Sequence, residues 1–343
     1  MFRVVCVEGV MSDSMVRGRF VWHELVTTDP KSAGAFFSKI IGWKAKPWGN
    51  DNSYSLFMAG SNQRAGLMSI PEEAQKAGAP PSWLTYIGTP NVDDTARLAT
   101  SLGATIKMPP ADIPTVGRYA VIADPQGAVF GLYTPNRPTG PDSEPAIGEF
   151  SWHELATTDA KAAFEFYRKL FAWEETSAMD MGEMGVYQMF GLTKQGRPQG
   201  GLFNKSSQMP GPPAWLAYIK VADARKSADA IKKAGAQIVN GPMEVPGGDW
   251  IAQGVDPQGG MFAVHSTVAK AAAAPAKAAS PAKPARKTAK RKAVAKKKAA
   301  PKASTRKKPA KKLAKKSAAK GKAAKKSAKK PVKKKSARKG KKR

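Results

Sequence analysis

The hydrophobic pattern of this chain changes period early, and the change is then repeated. From Phe20 to Val26 apolar and polar residues alternate, placing Phe20, Trp22, Glu24 and Val26 on one face of a strand and Val21, His23 and Leu25 on the other. Asp29 follows as a helix N-cap with Pro30 in the first turn. Ala33, Phe36, Phe37 and Ile40, at i, i+3, i+4 and i+7, predict an amphipathic helix that stops at Gly42. The whole stretch GRFVWHELVTTDPKSAGAFFSKIIGW, from Gly18 to Trp43, returns 130 residues later as GEFSWHELATTDAKAAFEFYRKLFAW, from Gly148 to Trp173. Its helical face is Ala163, Phe166, Tyr167 and Leu170, with Ala172 in place of the glycine stop.

The order continues in parallel through both copies. Short strand-like pieces (YSLFMAG and AGLMSI; VYQMFGL and GGLFN) precede a Pro-rich connection and a strand, WLTYIGT from Trp83 or WLAYIKV from Trp215. A second helix ends at Leu102–Ala104 and at Ala234–Ala236. A strand, the turn DPQG (Asp124–Gly127; Asp256–Gly259) and a final strand close each half. Each half therefore reads strand–helix–three strands, twice. The predicted organisation is an N-terminal extension over 1–17, a first domain over 18–136, a linker over 137–147 rich in Pro and Gly, a second domain over 148–268 and a tail over 269–343. At this length each half is large enough for a core of its own.

Charge divides the chain differently. Of 57 Lys and Arg residues, 33 lie from Ala269 onward, where there is no Asp or Glu; the preceding part carries 24 against 26 acids and is nearly neutral. The single cysteine, Cys6, lies outside both repeats, so an internal disulfide or cysteine metal cluster is not expected, which suits a reducing cytoplasm. Glu8 interrupts the short apolar run at the N-terminus, and no run is long enough to span a bilayer, so neither a secretory leader nor a membrane partner is expected.

The recurring strand, Asp-capped helix, FF or FY pair, GW or AW, and late DPQG resemble the vicinal oxygen chelate superfamily, which contains glyoxalase I, extradiol dioxygenases and bleomycin-resistance binding proteins. That resemblance covers Gly18 to Val268 and implies an α+β fold, tandem pairs of βαβββ modules whose sheets curl round a cavity. Enzymes of the superfamily take His, Gln or Glu metal ligands from set strand positions, which fall here on Trp22, Leu84 and Gly131, and on Trp152, Leu216 and Ala263. None of these can ligate a metal, so the resemblance leads to a small-molecule-binding protein without a cofactor. A metal-dependent lyase or an oxidoreductase of the dioxygenase type is the alternative.

The candidate site residues follow from alternation. Trp22, Glu24, Trp152 and Glu154 share the cavity face, where a carboxylate beside an indole would bind a cationic or hydroxylated ligand or act as a base. His23 and His153 point the other way and are expected to bond between sheet and helix; with His265, two residues past Ala263, they are the only candidates for an unusual divalent metal site. Trp83, Tyr86, Trp215 and Tyr218 are expected in the core or an interface.

The tail is almost wholly Ala, Lys, Pro, Ser and Arg, a composition that buries no core and is expected to be disordered. It resembles the C-terminal domain of linker histone and its bacterial counterparts. DNA is the expected partner, bound without sequence preference through residues such as Lys287, Lys290, Arg291, Lys296, Lys297, Lys298, Lys311, Lys312, Lys325, Lys326, Lys333, Lys334 and Lys335, with RNA or polyphosphate as competing polyanions. A nucleoid location follows from that expectation, and a third reading makes the folded part a scaffold for a nucleoid protein.

Overall fold

A computed structural model describes residues 16–49, 53–137, 140–182 and 185–267. The tail and its proposed DNA-binding residues lie outside the described residues. So does the N-terminal extension up to residue 15.

The first half contains β1 (Phe20–Thr27), α1 (Pro30–Ile41), β2 (Lys44–Pro47), β3 (Tyr54–Ala59), β4 (Asn62–Ser69), α2 (Glu72–Lys76), β5 (Ser82–Gly88), α3 (Val92–Ser101), β6 (Thr105–Ile113), β7 (Gly117–Ala123) and β8 (Val129–Pro135). The second contains β9 (Phe150–Thr157), α4 (Ala160–Phe171), β10 (Glu174–Asp180), β11 (Val186–Gly191), β12 (Pro198–Asn204), β13 (Ala214–Lys220), α5 (Ala224–Lys233), β14 (Gln237–Glu244), β15 (Trp250–Val255) and β16 (Met261–Ser266). Each half forms an eight-stranded sheet, in the orders β2-β3-β4-β1-β5-β8-β7-β6 and β10-β11-β12-β9-β13-β16-β15-β14. These are tandem α+β βαβββ pairs. Within each pair the opening strands, β1 with β5 and β9 with β13, run antiparallel at the sheet centre. The short α2 within the Pro-rich connection was not anticipated.

The local signals act as expected. Asp29 Oδ1 accepts the Ser32 N–H at 3.0 Å and Asp159 Oδ1 accepts that of Ala162 at 3.0 Å, capping α1 and α4. Both helices end in a left-handed residue, Gly42 at φ 87° and Ala172 at φ 56°. In the DPQG turns Asp124 and Asp256 each accept two backbone N–H groups at 2.9 Å.

The cores differ from expectation, because neither belongs to one half. Phe36 and Phe37 of α1 pack on Phe262 of β16, at 5.6 and 5.4 Å between ring centroids, in a cluster with Leu25, Trp83, Ile219 and Ile231. Tyr167 and Phe171 of α4 pack on Phe130 of β8, at 5.3 and 6.1 Å, in a cluster with Ile87, Leu132, Leu155 and Trp215. The first module thus shares its core with the fourth and the second with the third. The ends of the repeated stretch clasp across: Trp43 Nε1 donates to Gly148 O at 3.0 Å and Trp173 Nε1 to Gly18 O at 2.8 Å. Gly18, at φ 76°, has no room for a side chain, since a Cβ would lie 2.8 Å from Trp173 Nε1.

One reciprocal position is incomplete. Tyr167 donates its hydroxyl to Asp124 Oδ2 at 3.0 Å and accepts from Trp215 Nε1 at 3.0 Å. Its counterpart is Phe37, and there Asp256 Oδ2 and Trp83 Nε1 are both buried without a hydrogen-bond partner. A buried polar atom left unpaired costs about 1–3 kcal/mol. Phe37→Tyr should therefore stabilise the protein, by about 1–2 kcal/mol, and Tyr167→Phe should destabilise it by at least as much. Chemical denaturation of both variants checks this; equal effects of the same sign would contradict it.

Candidate functional site

The cavity of the first half is built on β1. Trp22, Glu24 and Val26 line it from one strand face, and the curl of the sheet brings in Tyr54 and Leu56 from β3, Leu84 and Tyr86 from β5, Met108 from β6, Tyr119 and Val121 from β7, and Tyr133 from β8. Trp48, Pro71 and Ala74 also line it, so α2 forms part of the wall. The volume is about 670 Å³, within the range of small-molecule sites. Most of the wall is apolar; among the described residues Glu24 is its one carboxyl group, joined by Gln63, Lys107 and the phenols.

Glu24 is only 8% exposed and is held by two tyrosines. Tyr86 donates to Oε2 at 3.1 Å, and Tyr54 also hydrogen-bonds the carboxylate while accepting from Trp22 Nε1 at 3.3 Å. Glycine makes that arrangement possible. A Cβ on Gly66 would lie 1.9 Å from the Tyr54 hydroxyl oxygen, and one on Gly131 would lie 2.1 Å from Tyr86 Cδ1. The position expected to carry a metal-ligating Glu, Gly131, is thus the space occupied by a tyrosine ring.

The second half repeats the core of the constellation. Tyr187 donates to Glu154 Oε2 at 3.0 Å, Tyr218 donates to Oε1 at 3.0 Å, and Trp152 Nε1 donates to the Tyr187 hydroxyl at 2.8 Å. A fourth member, Gln253 of β15, donates to Glu154 Oε1 at 3.3 Å and to the Tyr218 hydroxyl at 2.6 Å. Burial raises both carboxyl groups above the ordinary Glu range, opposed by the phenol hydrogen bonds. Burial, then the neighbouring carboxylate, pushes Tyr54, Tyr86, Tyr187 and Tyr218 upward, so these phenols stay protonated and donate.

Tyr86 corrects the expectation of core or interface residues by lining the cavity, whereas Tyr218 is buried as expected, with its hydroxyl on Glu154. Trp83 and Tyr86 lie on opposite faces of β5, and only the tryptophan enters the core. Tyr54, Tyr187 and Gln253 were missed altogether; pairing YSLFMAG with VYQMFGL would have revealed the two tyrosines as a repeated position.

Phe20 also departs from simple alternation. A register shift between Phe20 and Trp22 in the β1–β5 pairing turns Phe20 to the opposite face, where its ring stacks on His153 at 3.5 Å. Reciprocally, Phe150 stacks on His23 at 3.7 Å, next to a shift in the β9–β13 pairing.

The histidines do not bond between sheet and helix. His23 and His153 are each 5% exposed and meet each other, Nε2 to Nε2, at 2.8 Å in the join between halves. His153 Nδ1 lies 3.2 Å from Gln199 O, and a carbonyl only accepts, so Nδ1 carries the proton. His153 Nε2 is then the acceptor and His23 Nε2–H the donor. His265 is not joined to Glu154 either: Ser151 Oγ lies 2.9 Å from its Nδ1 and Asp249 Oδ2 3.1 Å from its Nε2.

These placements decide how well a metal would fit. A three-ligand centre needs converging His or carboxylate donors. Among the described residues the cavity offers Glu24 alone, with phenols and glycines at the neighbouring strand positions, and no cluster of three or more His, Cys, Asp or Glu able to hold a metal occurs. This donor set does not fit the metal site implied by the fold.

Comparison with known proteins agrees with the architecture. The family model for the Glyoxalase/Bleomycin resistance protein/Dioxygenase superfamily matches residues 19–132 and 149–264. The chain belongs to that superfamily. Among its relatives is a Mycobacterium tuberculosis protein named "Putative glyoxylase CFP32", 32% identical over 249 residues, covering 71% of this chain and 92% of the relative. The anthracycline biosynthesis protein DauV of Streptomyces sp. is 25% identical over 259 residues, covering 72% and 92%. The fold of the superfamily is seen in the Mn(II)-bound glyoxalase from Novosphingobium aromaticivorans, with a TM-score of 0.52 at 15% identity over 74% of this chain and 82% of that one. The 2,3-dioxygenase LapB from Pseudomonas sp. KL28 gives 0.52 at 10% identity over 74% and 93%.

The histidine pair sets a pH dependence. Burial, reinforced by His153, holds His23 well below its ordinary value, and burial lowers His153 to about 3. Unfolded histidine titrates near 6.5. Both rings are therefore neutral when folded, and their contribution is present above pH 6.5 and lost as pH falls below it, by on the order of 1 kcal/mol per histidine at pH 5.5. The raised carboxyl groups act in the opposite sense, binding protons more tightly when folded, so the histidine part is read as the difference from H23Q/H153Q. Unfolding free energy measured from pH 7.5 to 5.5 should fall more steeply in the wild type than in that variant.

Proposed function

We propose that this protein is a receptor for a small, flat, largely apolar molecule, bound in the first-half cavity without a metal and held by a hydrogen-bond donor or cation of the ligand at Glu24. The observation that carries the reading is a cavity of about 670 Å³ walled by aromatic and aliphatic side chains round one buried carboxyl group. Aromatic walls favour stacked or edge-on rings. The relatives named for anthracycline biosynthesis support a fused-ring ligand. The donor set gives no support to a metal-dependent lyase or dioxygenase.

Titration with an anthracycline, followed by tryptophan fluorescence, should show saturable binding. Trp22→Ala should weaken it about tenfold through lost ring contact. Glu24→Gln should weaken it about tenfold or more, because a hydrogen bond to a charged group contributes about 1.5–3 kcal/mol. Unchanged affinity in both variants would contradict the reading.

A second activity is supported by the 33 basic residues, without one acid, from Ala269 onward. We infer that this segment binds duplex DNA non-specifically and keeps the folded part near the nucleoid. Each lysine–phosphate contact releases a counterion, so log K should fall with log salt by about 0.9 per contact. No Phe, Tyr or Trp lies in this segment, so stacking on single strands is not part of the reading. A gel shift should retard DNA with the full chain and not with a chain ending at Val268; equal retardation would contradict it. Among the described residues no helix is long and apolar enough to cross a membrane.

A further inference from the structure

The two halves carry the same Trp–Tyr–Glu–Tyr constellation, yet they differ at a pair of facing positions on the outer strands. In the first half Met108 of β6 is paired with Val121 of β7; in the second Asn240 of β14 is paired with Gln253 of β15. The difference is correlated. Met108 and Val121 are apolar cavity wall with no donor for Glu24. Asn240 Nδ2 donates to Gln253 Oε1 at 3.3 Å, and Gln253 Nε2 donates onward to Tyr218 Oη at 2.6 Å and Glu154 Oε1 at 3.3 Å. Gln253 is thus a primary amide with its oxygen and nitrogen both engaged, seated on the carboxylate–phenol pair.

The counterpart of that seat holds no protein donor among the described residues of the first half, where Glu24 receives Tyr54 and Tyr86. A buried carboxylate has acceptor capacity beyond two hydrogen bonds. The remaining capacity of Glu24 faces the cavity, where a bound molecule can donate to it.

We propose that Gln253 is an internal stand-in for the ligand: the first half alone is a receptor, it takes an uncharged flat molecule bearing a carboxamide-like N–H or O–H donor aimed at Glu24 and Tyr86, and the second half is closed to ligand by its own amide. This deepens the receptor reading and rests on it. The identity of the residue facing β6 or β14 then selects between an open and a self-filled site. An amide bridges Glu and Tyr as Gln253 does, whereas a carboxylate of the same shape would meet Glu24 with like charge and no donor.

The test uses the full chain with 2-naphthamide and 2-naphthoate as probes, read by calorimetry and tryptophan fluorescence. The wild type should bind 2-naphthamide at one molecule per chain and at least tenfold more tightly than 2-naphthoate. Val121→Gln should weaken the amide at least tenfold, with an unchanged near-ultraviolet circular dichroism spectrum reporting intact packing. The double variant N240M/Q253V should gain a second site, raising the stoichiometry to two; this gain does not depend on the behaviour of the first variant. Two molecules per wild-type chain, equal affinity for both probes, or wild-type affinity in Val121→Gln would overturn the inference while leaving the receptor reading intact. Failure of both naphthalene probes and of an anthracycline to bind any of these proteins would instead overturn the receptor reading.

Discussion

The structure depends on the way each module's apolar face is covered by a module of the other half. α1 lies against β16 and α4 against β8, and both clusters are closed by tryptophans that bond back to the start of the opposite repeat. At the join, His23 and His153 share one hydrogen bond, each ring stacked on a phenylalanine from the other copy. Neither half can bury its apolar faces alone, so the two sheets form one cooperative body. Because strand side chains alternate, committing one face of β1 to this join leaves the other free to line a cavity. The adjacent His and Glu of each WHEL are separated by that rule: the histidine goes to the join and the glutamate to the site.

Much of this was legible from the chain. The repeated strand and capped helix, the late DPQG turn and the assignment of Trp22 and Glu24 to one face all follow from local chemistry that tertiary packing did not override. Other features depended on what covers a face, which periodicity does not reveal. Alternation sent His23 away from Glu24, but nothing in its neighbourhood indicated that its partner lies 130 residues further on. Phe20 changes face through a bulge, a register event set by the pairing of β1 with β5 and not by β1 itself. Ring size alone points Tyr86 to the core; its place in the cavity requires Gly131 opposite, a contact between strands far apart in sequence.

Duplication has also let the halves drift apart where the shared fold permits it. Phe37 in place of a tyrosine leaves Asp256 and Trp83 each with an unpaired atom, a deficit the cross-half core tolerates. The exchange of a valine for Gln253 changes the polar balance of a site without touching the strands that hold it. The two copies thus diverge both in the shared core, at Phe37 and Tyr167, and beside the site, at Val121 and Gln253.

Recognition in the first-half cavity is proposed to rest on the Trp–Tyr–Glu–Tyr constellation and not on a metal. Ligand titration before and after exhaustive chelation, with Mn(II) added back, tests it most directly. The expected result is the same affinity in all three conditions. Loss of binding on chelation, restored by Mn(II), would contradict it.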